Sequence, residues 1–216
     1  QVSEPMTAKD IDDVISGFAA SAGYAKDMGF DGVEIHGAHG YIIDQFFWDG
    51  TNARDDAFGG SMENRTQFAA EIVRAIRARV GEAFPILLRF SQWKQQDYTA
   101  RLAHSPQELE RFLKPLADAG VDIFHCSTRR FWEPEFPETG SDMNLAGWTK
   151  KISGRPTVTV GSVSLDLDFI TSFAQQPTKT EAANIDRLME MMARGDFDLV
   201  AVGRALIVNP DWENKV

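Results

Sequence analysis

Met28-Gly29-Phe30-Asp31-Gly32-Val33-Glu34-Ile35-His36 carries the pattern on which the fold turns. A glycine able to end a helix in the left-handed conformation comes first. A short link with an aspartate follows, then a brief apolar strand. The same pattern returns in Ala119-Gly120-Val121-Asp122-Ile123-Phe124-His125. It returns again in Arg194-Gly195-Asp196-Phe197-Asp198-Leu199-Val200-Ala201-Val202-Gly203. Two further strands, Ile86 to Phe90 and Thr157 to Val160, follow glycine and proline punctuation. Strands are therefore expected to begin near 33, 86, 121, 157 and 198. Their apolar character predicts burial on both faces.

Helical spacing precedes the strands. From Thr7 to Met28, the apolar residues Ile11, Val14, Ile15, Phe18, Ala22 and Ala25 recur at helical intervals. Ser61 reads as the N-cap, with Glu63 in the first turn, of a helix running to about Val80. Ser105-Pro106 opens the next helix, with proline at its first position. Shorter helices are expected over Leu145 to Ile152 and Glu181 to Arg194. Alternation of this kind predicts an α/β domain over residues 1–216, a parallel sheet with helices outside. Two architectures satisfy it. One is a five-stranded doubly wound open sheet. The other is a TIM-type (β/α)8 barrel, incomplete with about five parallel strands, whose first three units are missing. No strand is followed by Gly-x-Gly-x-x-Gly, so a Rossmann dinucleotide site has no support.

Composition bounds the function. The 216 residues are 43% hydrophobic and 25% charged, which fits a globular chain and not a disordered one. Acids outnumber bases 32 to 22, and a net charge of -10 repels nucleic acid and anionic membranes. Neither is an expected partner. No apolar run approaches the ~18 residues that a membrane span requires. No cationic-then-apolar leader opens the chain. The single cysteine, Cys126, excludes a disulfide framework and a Cys-rich zinc site. The cytoplasm is the expected compartment, and the sequon Asn64-Arg65-Thr66 is read as chance.

Polar chemistry gathers at the carboxyl ends of the strands, where parallel α/β folds carry their active residues. The first strand ends in His36-Gly37-Ala38-His39-Gly40-Tyr41, and the second carries Arg89. The third ends in His125-Cys126-Ser127, the fourth in Gly161-Ser162 and the fifth in Gly203-Arg204. His36 and His39 admit three readings: a loop held by ordinary hydrogen bonds, a metal pair, or two donors gripping a carbonyl or anionic oxygen beside the acid Tyr41. The metal reading lacks an obvious third ligand, and no metal site is expected. Arg89 reads as a structural ion pair or as a fixed cation facing developing negative charge. Gly161 and Gly203 read as tight turns or as places where backbone N–H groups approach a phosphate. Cys126 reads as a buried small apolar residue. Arg130, Phe131 and Trp132 read either as pocket-shaping or as ordinary packing and surface residues. The stretch from His36 to Ser61 reads as a long functional loop.

These residues closely resemble the old yellow enzyme family of FMN-dependent oxidoreductases. The resemblance rests on Gly32 to Tyr41, on Asp44-Gln45-Phe46 and on Thr51 through Arg65. It continues in Leu88-Arg89-Phe90, Val160-Gly161-Ser162, Val202-Gly203-Arg204-Ala205 and Asn209-Pro210-Asp211-Trp212. It implies the C-terminal five-eighths of an eight-stranded barrel with flavin at its mouth. It implies that His36 and His39 hold the substrate oxygen and that Tyr41 gives the proton. Arg89 would lie beside the flavin ring, and Gly161, Ser162, Gly203 and Arg204 would hold the FMN phosphate. NADH or NADPH would be the reductant, and an activated alkene of enone type the substrate. A homo-oligomer or a completing chain would cover the open edges. Two rivals stand beside this reading. One is a catalytically silent truncated barrel fragment that associates with another chain. The other is a metal-dependent lyase using His36 and His39.

Overall fold

The computed structural model describes residues 4–165 and 183–215. Helix α1 (Ala8–Asp27) leads into β1 (Val33–Gly37), the short α2 (Ile42–Phe47) and α3 (Met62–Val80). Then come β2 (Ile86–Ser91), α4 (Pro106–Ala119), β3 (Ile123–Ser127), α5 (Leu145–Ser153) and β4 (Thr157–Val160). Helix α6 (Ala183–Ala193), β5 (Leu199–Val200) and α7 (Arg204–Val208) complete the described elements. The expected start of α6 at Glu181 lies outside the described residues.

All five strands are parallel and lie in the order β1-β2-β3-β4-β5. A doubly wound sheet reverses its strand order at a switch point. This one never reverses, and right-handed crossovers in one direction put every helix on the same face. The sheet is therefore part of a barrel, and the open doubly wound alternative is set aside.

Each cap follows from its sequence. Thr7 forms a reciprocal capping box with Asp10 at the head of α1. The side chains of Ser61, Ser105 and Asn144 accept from Asn64 N, Glu108 N and Gly147 N at the heads of α3, α4 and α5. The aspartate of the repeat also has a defined task. Asp122 accepts from Ile86 N at 2.8 Å, and Asp198 accepts from Thr157 N at 2.9 Å. Each thus closes the first N–H of the neighbouring strand.

Burial alternates along most of β1 and β2. Ile35, Ile86, Leu88, Phe90, Phe124 and Cys126 face the helices and are buried. They meet Phe68, Ile72, Phe112 and Leu116 from α3 and α4 in one core. The opposite face carries Glu34, His36, Leu87, Arg89 and His125, which register aligns across β1, β2 and β3. Glu34 and His36 are exposed there. Burial on both faces is met on β3 and β4, where His125 and Val158 are buried on the inner side, but not on β1, whose inner-face Glu34 and His36 are exposed. Among the described residues no helix is long and apolar enough to cross a membrane.

The stretch read as a long loop contains α2, which local spacing over six residues was too short to reveal. Beyond α2 the chain is held by Asn52, whose Nδ2 donates to Phe46 O and Phe58 O, each at 2.7 Å. Gly59 is required here, since a Cβ would stand 2.0 Å from Arg54 O.

Candidate active site

His36, one residue before the end of β1, lies on the barrel-interior face opposite Arg89 on β2. The chain then turns sharply, with His39 at φ 64° and Gly40 at φ 80°. This turn brings His39 back beside His36, their ring centroids 5.2 Å apart. Tyr41 follows as the N-cap of α2, its ring 5.3 Å from that of His36. Tyr41 is 55% exposed, so its hydroxyl has access to the space in front of the pair. The structure thus brings His36, His39, Tyr41 and Arg89 together.

The second and third strands fix the His39 ring. Ser127 Oγ at the end of β3 lies 2.8 Å from His39 Nε2 and accepts from Arg89 Nη2 at 3.2 Å. When Ser127 donates its one hydrogen to Nε2, the imidazole proton resides on Nδ1. The backbone N–H of His39 donates to Ser91 Oγ at 3.1 Å. Trp93 stacks on the ring at 4.5 Å and 21°, and Tyr98 stacks on Trp93 at 5.0 Å. Burial, then the neighbouring Arg89, lowers His39 to about 3. Burial, then Arg89, also holds His36 below its ordinary value. Near neutral pH both rings are therefore neutral hydrogen-bond donors and not cations.

Arg89 lies between these groups and Glu34. Burial lowers its pKa, and Glu34 opposes that. Its Nε is buried with no hydrogen-bond partner among the described residues. An orphaned guanidinium N–H beside a cavity fits a partner that carries or develops negative charge. Glu34 Oε2 lies 2.7 Å from His125 Nδ1, a hydrogen bond across the sheet. Burial, the largest single influence, would raise Glu34, but His125, Arg89 and His36 together hold the carboxyl below its usual range.

The strand ends enclose a cavity of about 370 Å³, lined on one side by His39, Tyr41 and Arg89 and on the other by Gly161, Ser162, Gly203 and Arg204. Ser162 has φ 52°, and Gly161 has φ 152° with Thr128 Oγ1 only 2.5 Å from where a Cβ would stand. Backbone in these conformations comes close to whatever occupies the cavity, as a phosphate cradle requires. The donor set is compatible with a flavin mononucleotide: the unpaired Nε of Arg89 suits a ring edge that gains negative charge, and the glycine-bearing backbone suits a phosphate.

Some functional positions escaped sequence reading. Ser91, Ser127, Trp93 and Tyr98 act through one another, and only the β2–β3 register, Ser91 opposite Ser127, signals the first two. Of the loop after β3, Phe131 is fully buried packing, while Thr128 and Arg129 line the cavity instead. Arg130 pairs with Glu133 at 3.0 Å. Cys126 is a buried free thiol pushed up to about 12 by burial. Among the described residues no group of three or more His, Cys, Asp or Glu could hold a metal ion.

A barrel-type sheet thus sets a histidine, a phenol and an arginine around one cavity, with a second histidine beside them, an arrangement compatible with flavin chemistry. Comparison with known proteins agrees. Residues 1–216 match the family model described as NADH:flavin oxidoreductase / NADH oxidase. The chain is 36% identical to an NADH oxidase of Thermoanaerobacter brockii over 97% of its own length and 30% of that protein. It is 33% identical to an NADPH dehydrogenase of Clostridium acetobutylicum over 95% of its length and 54% of that protein. A putative 12-oxophytodienoate reductase 3 of Oryza sativa subsp. japonica is 32% identical over 95% of the chain and 48% of that protein. The chain thus spans between 30% and 54% of the length of these relatives. It belongs to the NADH:flavin oxidoreductase / NADH oxidase family, the old yellow enzyme class of FMN-dependent, NAD(P)H-using oxidoreductases.

Proposed function

We propose that the protein reduces an activated alkene of enone type with NADH or NADPH. Bound FMN would supply the hydride relay between nicotinamide and alkene. Every other part of the reaction falls to this chain's own side chains. His36 and His39, both neutral, donate hydrogen bonds to the substrate's carbonyl oxygen. The alkene becomes electron-poor at its β carbon, and the oxygen gains negative charge as hydride arrives there. Each well-placed donor at such an oxygen is worth roughly 3 kcal/mol in comparable sites. Tyr41 gives its proton to the α carbon. A phenol of pKa ~10 suits that strongly basic position. Arg89 faces the cofactor ring where reduction places negative charge, and backbone near Gly161, Ser162, Gly203 and Arg204 holds the phosphate.

The observation that carries this reading is the grouping itself: His39, Tyr41 and Arg89 line one cavity, and the His36 ring stands 5.2 Å from that of His39 and 5.3 Å from that of Tyr41. Phenols imitate the developing enolate and give a charge-transfer band on flavin. Replacing His36 and His39 by alanine should weaken p-hydroxybenzaldehyde binding at least 30-fold, on the order of 2 kcal/mol, and change FMN affinity far less. Loss of FMN with phenol affinity retained would place the pair on the phosphate instead.

The partner and compartment follow the same reading. Strands β1 and β5 end the described sheet, and Leu199 on β5 is 50% exposed. A second copy or a completing chain covers these edges. The cytoplasm, where reduced nicotinamide is supplied and a free thiol such as Cys126 persists, is the proposed compartment.

A further inference from the structure

Under the catalytic turn lies an ion pair that neither the family reading nor the chemistry above uses. Asp44 on α2 and Lys94 beyond β2 are both fully buried, with Lys94 Nζ 2.5 Å from Asp44 Oδ1. Burial works against both charges, raising Asp44 and lowering Lys94, while their mutual attraction opposes it. Buried pairs are seldom more stabilising than apolar residues of the same size. Stability alone therefore does not account for this one.

The second oxygen of the carboxylate shows its use. Gly40 N donates to Asp44 Oδ2 at 2.7 Å. Gly40 O accepts from Gln45 Nε2 at 2.9 Å. The peptide between His39 and Tyr41 is thus held from both sides by the first turn and a half of α2. His39 occupies the left-handed region, which costs a residue with a Cβ roughly 1–2 kcal/mol. Gly40 is constrained by its own φ of 80°, which residues with a Cβ rarely adopt. A strained turn persists only where its surroundings over-determine it. Lys94 completes the arrangement from the other side. It follows Trp93, the residue stacked on His39, and its Nζ reaches Ser91 O at 3.4 Å. One pair therefore ties the turn beneath His39 to the loop that flanks its ring.

We propose that Asp44 is a positioning residue, with Lys94 as its buried counter-ion, and that together they lock His39 and Tyr41 in register for substrate. This rests on the roles given to His39 and Tyr41 above. Asp44 touches no substrate; it acts through the Gly40 peptide. Small misplacements of positioned groups cost up to about 10²-fold in rate.

Two double variants isolate the clamp. D44N/K94M and D44A/K94M both remove the buried charges, and they differ in whether residue 44 can accept from Gly40 N. Amide exchange at Gly40 should be at least tenfold faster in D44A/K94M than in D44N/K94M. With FMN bound, oxidation of the reduced protein by 2-cyclohexenone should be 10- to 100-fold slower in D44A/K94M, and p-hydroxybenzaldehyde affinity should fall with it. Reduction by NADPH should be the same in both. Matching alkene rates and phenol affinities in the two variants would overturn the proposal. So would a proportional loss in both half-reactions, which marks a purely structural pair. A wild-type protein that binds no phenol and reduces no alkene overturns the reading of His39 and Tyr41. Equal Gly40 exchange in the two variants overturns the clamp independently.

Discussion

Ser127 shows how much of this site depends on single atoms. Its hydroxyl meets both His39 Nε2 and Arg89 Nη2, so it links the imidazole to the guanidinium, the proposed substrate and cofactor contacts. Burial keeps His39 neutral far below its ordinary 6.5. The sign of the pH effect follows. Below pH 6.5 the unfolded chain gains a proton that folded His39 refuses down to about 3, so stability falls as pH drops through that window. His36 adds an effect of the same sign. Urea midpoints measured from pH 7 to pH 4 should therefore decline less steeply for His39→Gln than for the wild type. Parallel curves would show that His39 protonates freely in the fold. Cys126 gives a second check. With its pKa raised from 9.0 to about 12, its thiolate population near pH 8 is depleted roughly 10³-fold. Iodoacetamide should leave the native thiol unmodified over hours and alkylate it within minutes in urea, as read by intact mass.

At the scale of elements, the loop after β2 is built around Gln92. Its Oε1 accepts from Leu102 N and Ala103 N, and its Nε2 donates to Ala103 O and Glu135 Oε1. That one amide closes the loop bearing Trp93 and Tyr98 onto the segment after β3. Gln92→Ala leaves several buried groups unpaired, at about 1–3 kcal/mol for each that water cannot reach. Ser105→Ala removes only the α4 cap and should cost about 1 kcal/mol. Urea unfolding should rank Gln92→Ala as clearly the more damaging; the reverse order would show that the loop is solvated. These elements were unequally legible in the sequence. The strands at Val33, Ile86 and Thr157 begin where the glycine, aspartate and proline signals put them, because such signals act locally. The third starts at Ile123 and not Val121, since Asp122 is spent on Ile86 N. His36, His39, Tyr41 and Arg89 stood out as polar residues at strand ends. Gln92, Asp44 and Lys94 did not, because their partners lie as many as 50 residues away and no short-range pattern marks them.

At the scale of the molecule, the described residues form five parallel strands in unbroken order, an arc of a barrel with helices on its outside and the candidate site at one end. Glu34, His36 and Leu199 remain exposed on or beside its inner face. Light scattering should find the chain larger than a single copy, and equilibrium dialysis should find FMN bound only weakly to it alone. A monomer that takes up FMN stoichiometrically at submicromolar concentration would contradict both expectations. In the proposed reading this arc carries the donor pair and the proton source for alkene reduction. Anaerobic stopped-flow of Tyr41→Phe against wild type, with FMN at saturating concentration, tests it most directly by timing the two half-reactions separately. Reduction by NADPH should be nearly unchanged, while oxidation by 2-cyclohexenone slows ~10²–10⁴-fold, the usual worth of a general acid. Equal slowing of the two half-reactions, or none in either, would contradict the account.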